Sequence, residues 1–390
     1  MQRDREIHWN NIPILGIIGG GQLAKMLCQA AGKLGVSTRV IEKSNDCPAS
    51  QIASEFVVGD WEDPEVLIDF SKSCDVVTLE SEFVEADILK KAEDAGTVVL
   101  PNSDSVRIVQ DKYFQKTRLV ENGGSVADFI SVETEEELEK AGQKFGWPLV
   151  LKTRKLGYDG KGNTTVASPE DISRAWKTLG GGKVSLFCEK FVPFERELAV
   201  MVCTDTDGST VTYPLVETFQ RDHICHEVVC PAEASDNQKQ TAIDLAVDAV
   251  KSVGGIGSFG VEMFETQTGQ IIVNELAPRV HNSGHYTIEG CYCSQFENHV
   301  RAVLSLPLGS TEMILPQAVM VNILGEKDGE GWPGGLPKSI GNEKVNIHWY
   351  GKTKSRVGRK MGHITSIGYS REACLKAARK AVENVYDFSS

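Results

Sequence analysis

The sequence has no long hydrophobic run. No stretch approaches the roughly 18 consecutive apolar residues that a membrane-spanning helix needs, and residues 1–11 mix acidic and basic side chains where a secretory signal would need a basic start and an apolar core. Positive charge is also scarce, with 41 basic against 54 acidic side chains and a net charge of −13. We therefore expect a protein of the cytoplasm that spans no membrane and offers no broad surface to nucleic acid.

Cysteines in a disulfide pattern are missing too. The ten cysteines are scattered through apolar segments, which in a chain of 390 residues is typical of reduced, buried thiols. Cys291 and Cys293 have no second cysteine pair at zinc spacing, so we expect them in the core of a helix. No tandem repeat or low-complexity tract is present, and the length predicts two or three packed domains.

What the chain does contain begins with alternating strand and helix patterns. From residue 14 to about residue 100 they form a βαβ series, which predicts a parallel sheet with helices on both faces and a last strand at residues 98–101. Glu42 ends the second strand, where a ribose-binding acid would lie. The turn after the first strand fits the dinucleotide-binding pattern G-x-G-x-x-A through Gly19, Gly21 and Ala24. By itself this part of the chain therefore allows a dinucleotide-dependent oxidoreductase.

The middle of the chain has an α+β pattern. Residues 105–123 and 135–146 predict helices, and residues 147–168 predict two short strands, the first carrying Lys152, around a glycine-rich, basic loop. Glycines let a backbone approach phosphate oxygens and lysines neutralise them, so this loop is a candidate phosphate-binding segment; an ordinary flexible hairpin is the alternative. Its glycines and lysines are Gly157, Gly160, Gly162, Lys155 and Lys161.

The last part of the chain carries acids on strands of antiparallel character. Glu262, and Asn274 with Glu275, interrupt two apolar strands, where an unpaired carboxylate is costly. Two carboxylates on paired strands suit Mg²⁺ that bridges nucleotide phosphates, and a buried ion pair with lysine or arginine is the alternative. Glu189 and Glu197 lie on earlier strands, where an acid can accept hydrogen bonds from an adenine amine or ribose hydroxyls; a solvated charge on the strand face is the alternative for each.

Two further segments collect side chains that could bind an anion or a polar substrate. Residues 279–285 follow the second acidic strand and are rich in donors, and residues 352–360 are basic within an otherwise acidic chain. A solvated loop is the alternative for the basic segment. Between the two, we expect residues 325–342 to form a long flexible loop. The donors are Arg279, His281, Asn282, Ser283 and His285, and the basic residues are Lys352, Lys354, Arg356, Arg359 and Lys360.

These features resemble the ATP-grasp superfamily. The resemblance lies in the parallel-sheet start, in Lys112 and Lys152 about 40 residues apart, in the glycine-rich loop and in the acids Glu262 and Glu275. Within the superfamily, the strings GGGQLAKM, GYDGKGN, HNSGHYTIEG, SQFENH and GRKMGHIT are similar to those of N5-carboxyaminoimidazole ribonucleotide synthetases of purine biosynthesis. The similarity runs from about residue 14 to about residue 367.

The resemblance implies a fold, a reaction and partners. The fold is α/β and α+β, an ATP-grasp fold with a Rossmann-like parallel-sheet domain at residues 1–111, a small lid domain at 112–187 and a C-terminal mixed-sheet domain at 188–390. With ATP and Mg²⁺ as cofactors, bicarbonate would form carboxyphosphate, which would carboxylate the exocyclic amine of 5-aminoimidazole ribonucleotide (AIR). The family also implies a homodimer, and a separate or formerly fused mutase or carboxylase that acts on the product.

The resemblance assigns site residues as well. Asp159 and Lys360 would act in catalysis, Asp159 on the amine or its proton and Lys360 on the negative charge of carboxyphosphate. Glu262 and Glu275 would ligate Mg²⁺, and Glu42 is left as an ordinary strand-end charge. The implied ATP contacts are Lys112, Lys152, Gly157, Tyr158, Asp159, Gly160, Lys161, Gly162, Asn163, Glu189, Lys190, Phe191, Val192, Glu197, Gln220, Asn274 and Glu275. The implied AIR contacts are Gly21, Gln22, Glu80, Tyr158, Lys161, Arg279, His281, Asn282, Ser283, Lys352, Arg359 and Lys360.

Two alternative functions remain at this point. Another purine-pathway ATP-grasp ligase, acting on glycinamide ribonucleotide, would share the nucleotide site, although HNSGHYTIEG followed by GRKMGH disfavours it. An oxidoreductase that uses NAD would explain the opening glycine turn and Glu42. It would leave the paired acids and the lysine-glycine loop without a role.

Overall fold

The first part of the chain is a parallel sheet with helices on both faces. The computed structural model describes residues 11–157, 162–341 and 344–386. The first elements are β1 Ile14–Ile18, α1 Gln22–Lys33, β2 Ser37–Glu42, β3 Glu55–Val58, α2 Pro64–Ser71, β4 Val76–Leu79 and α3 Ala86–Asp94. The strand order is β3-β2-β1-β4, and all three pairings are parallel. Helix α1 packs against Leu15 and Ile17 on one face, whereas α2 and α3 pack against Ile18 and Val77 on the other.

The fifth strand expected at residues 98–101 is not formed. Only a single parallel bridge, from Val77 to Val99, extends the sheet there. The chain cannot continue along β4 because Asn102 caps a helix immediately afterwards, with its side chain accepting a hydrogen bond from the Ser105 N–H at 2.8 Å.

The second part of the chain builds a small antiparallel sheet flanked by helices. Its elements are α4 Ser103–Gln110, α5 Lys112–Glu121, β5 Phe129–Val132, α6 Glu135–Phe145, β6 Leu149–Thr153, β7 Asn163–Val166, α7 Ile172–Thr178 and β8 Leu186–Lys190. The strand order is β5-β8-β6-β7. Strand β8 spans the expected domain boundary between residues 187 and 188.

The single helix expected at residues 105–123 is two helices, and Asp111 separates them. Its backbone has φ −97° and ψ 102°, outside the helical region, and its carboxylate accepts hydrogen bonds from the N–H groups of Tyr113 and Phe114 at 3.1 and 3.2 Å. Arg154, which follows β6, binds the same carboxylate through Nε and Nη2 at 2.7 to 3.0 Å. The cap and the ion pair together fix the start of α5 beside β6.

The third part of the chain is a nine-stranded sheet with antiparallel pairing. The elements are β9 Phe194–Thr204, β10 Thr210–Thr212, β11 Val216–Arg221, β12 Ile224–Cys230, α8 Asp236–Ser252, β13 Gly257–Thr266, β14 Ile271–Ala277, α9 Thr287–Gly290, α10 Gln295–Val303, β15 Gln317–Leu324, β16 Gly329–Glu330, α11 Leu336–Ile340, β17 Asn346–Trp349, β18 Lys354–Ser355, β19 Lys360–Gly368 and α12 Arg371–Val385. The strand order is β14-β13-β9-β11-β12-β15-β19-β17, with β10 paired to β9, and β16 and β18 form a separate two-stranded sheet. Strand β14 therefore lies at one edge.

Two expectations about this part of the chain are corrected. The segment expected to be a flexible loop, residues 325–342, contains β16 and α11, and the Ser339 hydroxyl of α11 donates to the Ala381 carbonyl at 2.7 Å, which attaches α11 to α12. Cys291 and Cys293 are buried, but Cys291 forms a bridge to Met313 and Cys293 lies in a bend, so neither lies in a helix. None of the ten cysteines, all of which lie in the described part of the chain, forms a disulfide. Among the described residues, no helix has the length and apolar content to cross a membrane.

Helix α10 joins the parallel sheet to the large sheet. His299 on α10 is fully buried; its Nε2 lies 2.8 Å from the Thr78 hydroxyl on β4, and its Nδ1 accepts from the Ser258 N–H on β13 at 3.0 Å. Because Nδ1 is an acceptor, the proton of the neutral ring is on Nε2 and is donated to Thr78. Burial lowers the pKa of His299 to about 4, so the ring is neutral at physiological pH.

Candidate active site

A cleft of about 350 Å³ is lined by residues from both antiparallel sheets and from α5. Every predicted ATP contact in the described part of the chain lines it: Lys112, Lys152, Gly157, Gly162, Asn163, Glu189, Lys190, Phe191, Val192, Glu197, Gln220, Asn274 and Glu275. Tyr158, Asp159, Gly160 and Lys161 lie outside the described residues. The cleft also includes Glu262 and four of the predicted AIR contacts, Arg279, His281, Asn282 and Lys360.

At one side of the cleft, Glu189 binds two lysines. Its carboxylate lies 2.8 Å from Lys152 Nζ and 3.1 Å from Lys116 Nζ. Burial favours the neutral acid, but the two ammonium groups outweigh it and lower the pKa of Glu189 to about 2. Lys152 is thus held on β6 with its ammonium in the cleft, where it can neutralise a phosphate.

Helix α5 supplies more of the site than the sequence predicted. Lys112, Gln115 and Lys116 occur at the i, i+3 and i+4 spacing that puts side chains on one face of a helix, and all three contact β14. Lys112 bonds to the Glu275 carboxylate, and Lys116 Nζ donates to the Asn274 carbonyl at 3.0 Å. Only Lys112 was predicted from the sequence; the helical spacing relates Gln115 and Lys116 to it but does not show what they contact.

Glu262 and Glu275 are cross-strand neighbours on β13 and β14. Burial raises the pKa of Glu262 to about 8, and the carboxylates of Glu275 and Glu197 add to the effect. Burial also acts to raise the pKa of Glu275, but the Lys112 ammonium outweighs it and the pKa is lowered. Burial opposes the charge on Lys112, yet Glu275 and Glu262 together raise its pKa.

The acidic pair fits a divalent cation that also binds phosphate. Two neighbouring carboxylates whose repulsion favours protonation would be neutralised by a cation, and an oxygen-only donor set is the one that Mg²⁺ prefers. Within the described residues, no group of three or more His, Cys, Asp or Glu could hold a metal ion on its own. Glu262 and Glu275 would therefore need phosphate oxygens to complete the coordination of the ion.

Another part of the cleft contains an acceptor with no donor. Glu197 Oε2 on β9 is buried and has no hydrogen-bond partner among the described residues. Burial raises the pKa of Glu197, and a hydrogen bond from the Gln220 side chain partly offsets this. A buried acceptor without a donor can be satisfied by a ligand hydroxyl. Phe194 and Phe264 stack nearby with ring centroids 4.5 Å apart, and Phe264 is an apolar part of the cleft lining.

The cleft lining also includes Arg279, His281 and Asn282. Arg279 donates to the Glu82 carboxylate through Nε at 2.5 Å and Nη2 at 3.2 Å. Glu82 follows β4 and was not among the predicted site residues; its signal was its place after a parallel strand, at the edge where ligands bind. Burial lowers the pKa of His281 to about 3 and Arg279 contributes, so the ring is neutral, with Nε2 3.5 Å from Glu262 Oε1.

Six predicted AIR contacts do not line the cleft: Gly21, Gln22, Glu80, Ser283, Lys352 and Arg359. Their roles as ligand contacts stay predictions. Ser283 Oγ lies 3.1 Å from His281 Nδ1 and so contacts a residue that does line it. Lys352 Nζ donates to the Lys360 carbonyl at 2.6 Å, and Arg359 Nη1 donates to the Lys354 carbonyl at 2.6 Å.

The opening glycine turn binds carboxylates of the protein itself. Glu80 accepts hydrogen bonds from the N–H groups of Gly21 at 2.7 Å and Ala24 at 3.1 Å, at the N-terminus of α1. Glu42 Oε2 accepts from the Gly20 N–H at 3.0 Å, which corrects the expectation that Glu42 is an ordinary strand-end charge. In this structure the N–H groups of Gly20, Gly21 and Ala24 are therefore bonded to carboxylates of the protein itself.

Comparisons with protein families identify the class. Residues 117–296 match the ATP-grasp domain, residues 12–110 match the ribonucleotide synthetase preATP-grasp domain, and residues 318–377 match the phosphoribosylaminoimidazole carboxylase C-terminal domain. The fold is therefore an ATP-grasp fold, and the cleft lies among the elements of that domain and its neighbours.

Individual relatives identify the family. The N5-carboxyaminoimidazole ribonucleotide synthase of Synechococcus elongatus is 38% identical over 352 residues, which cover 90% of this chain and 88% of the relative. A solved structure of carboxyaminoimidazole ribonucleotide synthase from Aspergillus clavatus, complexed with ATP, has a TM-score of 0.88 and 36% identity and covers 97% of this chain and 99% of that chain. The chain belongs to the N5-carboxyaminoimidazole ribonucleotide synthase family of ATP-grasp ligases.

Some relatives are longer than this chain. The phosphoribosylaminoimidazole carboxylase of Ogataea methanolica is 42% identical over 368 residues, which cover 92% of this chain and 67% of the relative. For the relative of that name from Schizosaccharomyces pombe, also 42% identical, the shares are 93% and 66%. The chain thus spans about two thirds of the length of these fungal relatives.

Proposed function

We propose that the protein carboxylates AIR with ATP and bicarbonate, giving N5-carboxyaminoimidazole ribonucleotide, ADP and phosphate in purine biosynthesis. The observation that carries this proposal is that one cleft joins a lysine and glutamate cluster suited to a nucleotide with the donors Arg279, His281 and Lys360. A solved Aspergillus clavatus relative, 36% identical to this chain, is described as a complex with ADP and 5-aminoimidazole ribonucleotide, which supports the same pairing of ligands.

The nucleotide half of the cleft binds and orients ATP; it consists of Lys112, Lys152, residues 190–192 and Glu197. Lys112 and Lys152 neutralise its phosphates, and residues 190–192, at the end of β8 and just after it, bind the base. Glu197 accepts from a ribose hydroxyl, which would satisfy its buried Oε2. Mg²⁺ bound to Glu262, Glu275 and the phosphates would polarise the transferred phosphoryl group.

The substrate half of the cleft contains Arg279, His281 and Lys360. There the protein stabilises negative charge and transfers a proton. A bicarbonate oxygen attacks the γ-phosphorus of ATP, ADP leaves, and the amine nitrogen of AIR then attacks the carboxyl carbon of carboxyphosphate, releasing phosphate. Lys360 stabilises the negative charge of carboxyphosphate, and Asp159 orients the amine or takes its proton. Neutral His281 can donate or accept a hydrogen bond without adding charge.

The test is ADP release with AIR and bicarbonate present or omitted in turn. We expect turnover to require both, and Asp159→Asn to abolish nearly all carboxylation while ADP still binds. ADP release that is indifferent to AIR, or turnover supported by glycinamide ribonucleotide instead, would overturn the proposal. An oxidoreductase is disfavoured because Glu80 takes the amides that a dinucleotide would need.

We also propose an organisation and a setting for the enzyme. The first boundary stays after residue 111, and the lid includes all of β8 and ends near Lys190 because that strand belongs to the small sheet. The cysteines are mostly buried and form no disulfide, which supports a reducing compartment such as the cytoplasm. A homodimer, and delivery of the product to a separate or fused mutase or carboxylase, follow from the family resemblance; sedimentation of the purified chain tests the dimer.

A further inference from the structure

The buried side-chain amide of Gln115 forms two hydrogen bonds to the backbone of β14, beside the nucleotide half of the cleft. Gln115 on α5 is 1% exposed; its Oε1 accepts from the Leu276 N–H at 2.9 Å, and its Nε2 donates to the Leu276 carbonyl at 3.2 Å. Nε2 also donates to the Val109 carbonyl at 3.2 Å. Leu276 directly follows Glu275 on β14, the edge strand of the large sheet, where a parallel bridge pairs Val273 with Val126 on the outer side.

The buried side-chain amide of Gln295 forms the same pair of hydrogen bonds to the His281 backbone, beside the substrate half of the cleft. Gln295 on α10 is fully buried; its Oε1 accepts from the His281 N–H at 2.9 Å, and its Nε2 donates to the His281 carbonyl at 2.7 Å. The remaining Nε2 proton points at His285 Nδ1, 3.2 Å away. Burial lowers the pKa of His285 well below its usual value, so the ring is neutral and Nδ1 can accept.

Two glycines beside Gln295 and His281 allow the close approach of these two residues. A Cβ on Gly284 would lie 2.6 Å from the Gln295 side chain, and a Cβ on Gly260 would lie 2.5 Å from His281. Both distances are shorter than real Cβ contacts, so alanine at position 284 would displace the Gln295 amide and alanine at position 260 would displace the His281 side chain. The close approach of Gln295 to the His281 backbone depends on these two glycines.

The two pairs of hydrogen bonds attach residues 276–281 to helix α5 at one end and to helix α10 at the other. Leu276 and His281 are five residues apart in the chain, and the residues on either side of them, Glu275 and Asn282, line the cleft. Two hydrogen bonds to one backbone unit fix its rotation as well as its position, which a single bond does not. Because Gln115 and Gln295 lie on different helices, α5 and α10, the two ends of the segment are positioned independently.

We propose that Gln115 and Gln295 are positioning residues for different halves of the cleft. Gln115 fixes the end of β14 and thereby Glu275 for the nucleotide and its cation. Gln295 fixes the backbone of His281 and thereby the donors that face the second substrate. The identity of that substrate as AIR rests on the proposed function.

The experiment compares Gln115→Met and Gln295→Met in the full chain, since both changes keep side-chain length and remove all amide hydrogen bonds. We expect Gln295→Met to raise the KM for AIR about tenfold while the Kd for ADP with Mg²⁺ changes less than about twofold. We expect the reverse for Gln115→Met, with the Kd for ADP with Mg²⁺ raised about tenfold. Each variant is the control for the other, because a general loss of packing would change both constants in both proteins.

Two results would overturn the proposal: equal changes of both constants in both variants, or melting temperatures that fall while both constants stay at wild-type values. If a methionine variant does not fold, Gln295→Glu and Gln115→Glu replace it, since each keeps the acceptor and loses the donor to the carbonyl, and smaller changes in the same directions are expected. If wild-type protein ignores AIR, the proposed function fails; a Gln115→Met protein that then binds ADP with Mg²⁺ as tightly as wild type overturns the positioning role too, and weaker binding supports it.

Discussion

The ammonium of Lys116 lies 3.1 Å from the carboxylate of Glu189, and both side chains are almost completely buried. Burial lowers the pKa of Lys116 more than the Glu189 carboxylate raises it, and the nearby Lys152 lowers it further. A buried cation in this position is stable only with its partner, so the pair connects the stability of α5 to the electrostatics of the cleft.

Replacing Glu189 by glutamine is expected to destabilise the protein most at neutral pH. The folded-state pKa of about 2 lies below the ordinary value of 4.5, so the carboxylate contributes stability above pH 4.5 and loses that contribution as the pH falls toward 2. The shift corresponds to about 3 kcal/mol. Urea unfolding of wild type and Glu189→Gln at pH 6 and pH 3 measures this, and a difference of equal size at both pH values would contradict it.

His299 is expected to make the protein sensitive to mild acid. Its folded-state pKa of about 4 is below the ordinary 6.5, so the unfolded chain binds a proton that the folded ring does not, and stability falls as the pH drops from 6.5 to 4. His299→Gln should lower stability at pH 7 but flatten this dependence by up to about 3 kcal/mol. Unfolding free energies at several pH values test this. Parallel curves for the two proteins would refute the role of His299.

Glu262→Gln is expected to remove most of the effect of Mg²⁺ on ADP binding. Wild-type protein should bind ADP more tightly with Mg²⁺ than with EDTA, and the variant should lose about tenfold or more of that gain because one of the two carboxylates is neutral. The matched control is Glu197→Gln, which should weaken ADP binding equally with and without Mg²⁺. Calorimetric titration gives both constants, and an unchanged Mg²⁺ effect in Glu262→Gln would remove Glu262 from the metal site.

Glu80→Gln is expected to affect stability rather than nucleotide binding. The carboxylate accepts two backbone hydrogen bonds at the N-terminus of α1, and the neutral amide loses the charge interaction with the helix dipole, at a cost of about 1–2 kcal/mol. Denaturant unfolding and ADP binding are measured on the same preparation. Normal stability combined with weakened ADP binding would place Glu80 at the nucleotide instead.

Much of the fold and the cleft could be predicted because their signals are local. Alternating strand and helix patterns predicted the parallel sheet, and acids within apolar strands predicted Glu262 and Glu275 as cross-strand neighbours. The break at Asp111 is also local, since its carboxylate caps α5, but helix periodicity does not register a capping residue. Helix periodicity alone therefore joined α4 and α5.

What the sequence could not show are contacts that depend on packing between distant segments. Gln115 and Lys116 read as ordinary polar residues of an exposed helix, and only the placement of α5 against the edge of β14 buries them. Glu82 and Arg279 are 197 residues apart in the chain. Glu42 and Glu80 are acids at strand ends whose partners are backbone amides, which carry no side-chain pattern to recognise.

The carboxylate of Glu80 acts as a tethered competitor at the glycine turn. In dinucleotide-binding proteins, the amides at this turn receive a diphosphate from solution. Here the anion is part of the chain, so its effective concentration at the turn is fixed by the fold and does not fall when a free ligand is dilute. A dinucleotide would have to displace Glu80 from two hydrogen bonds before it gained any of its own. The same loop geometry can therefore persist in a ligase without making it a binder of NAD.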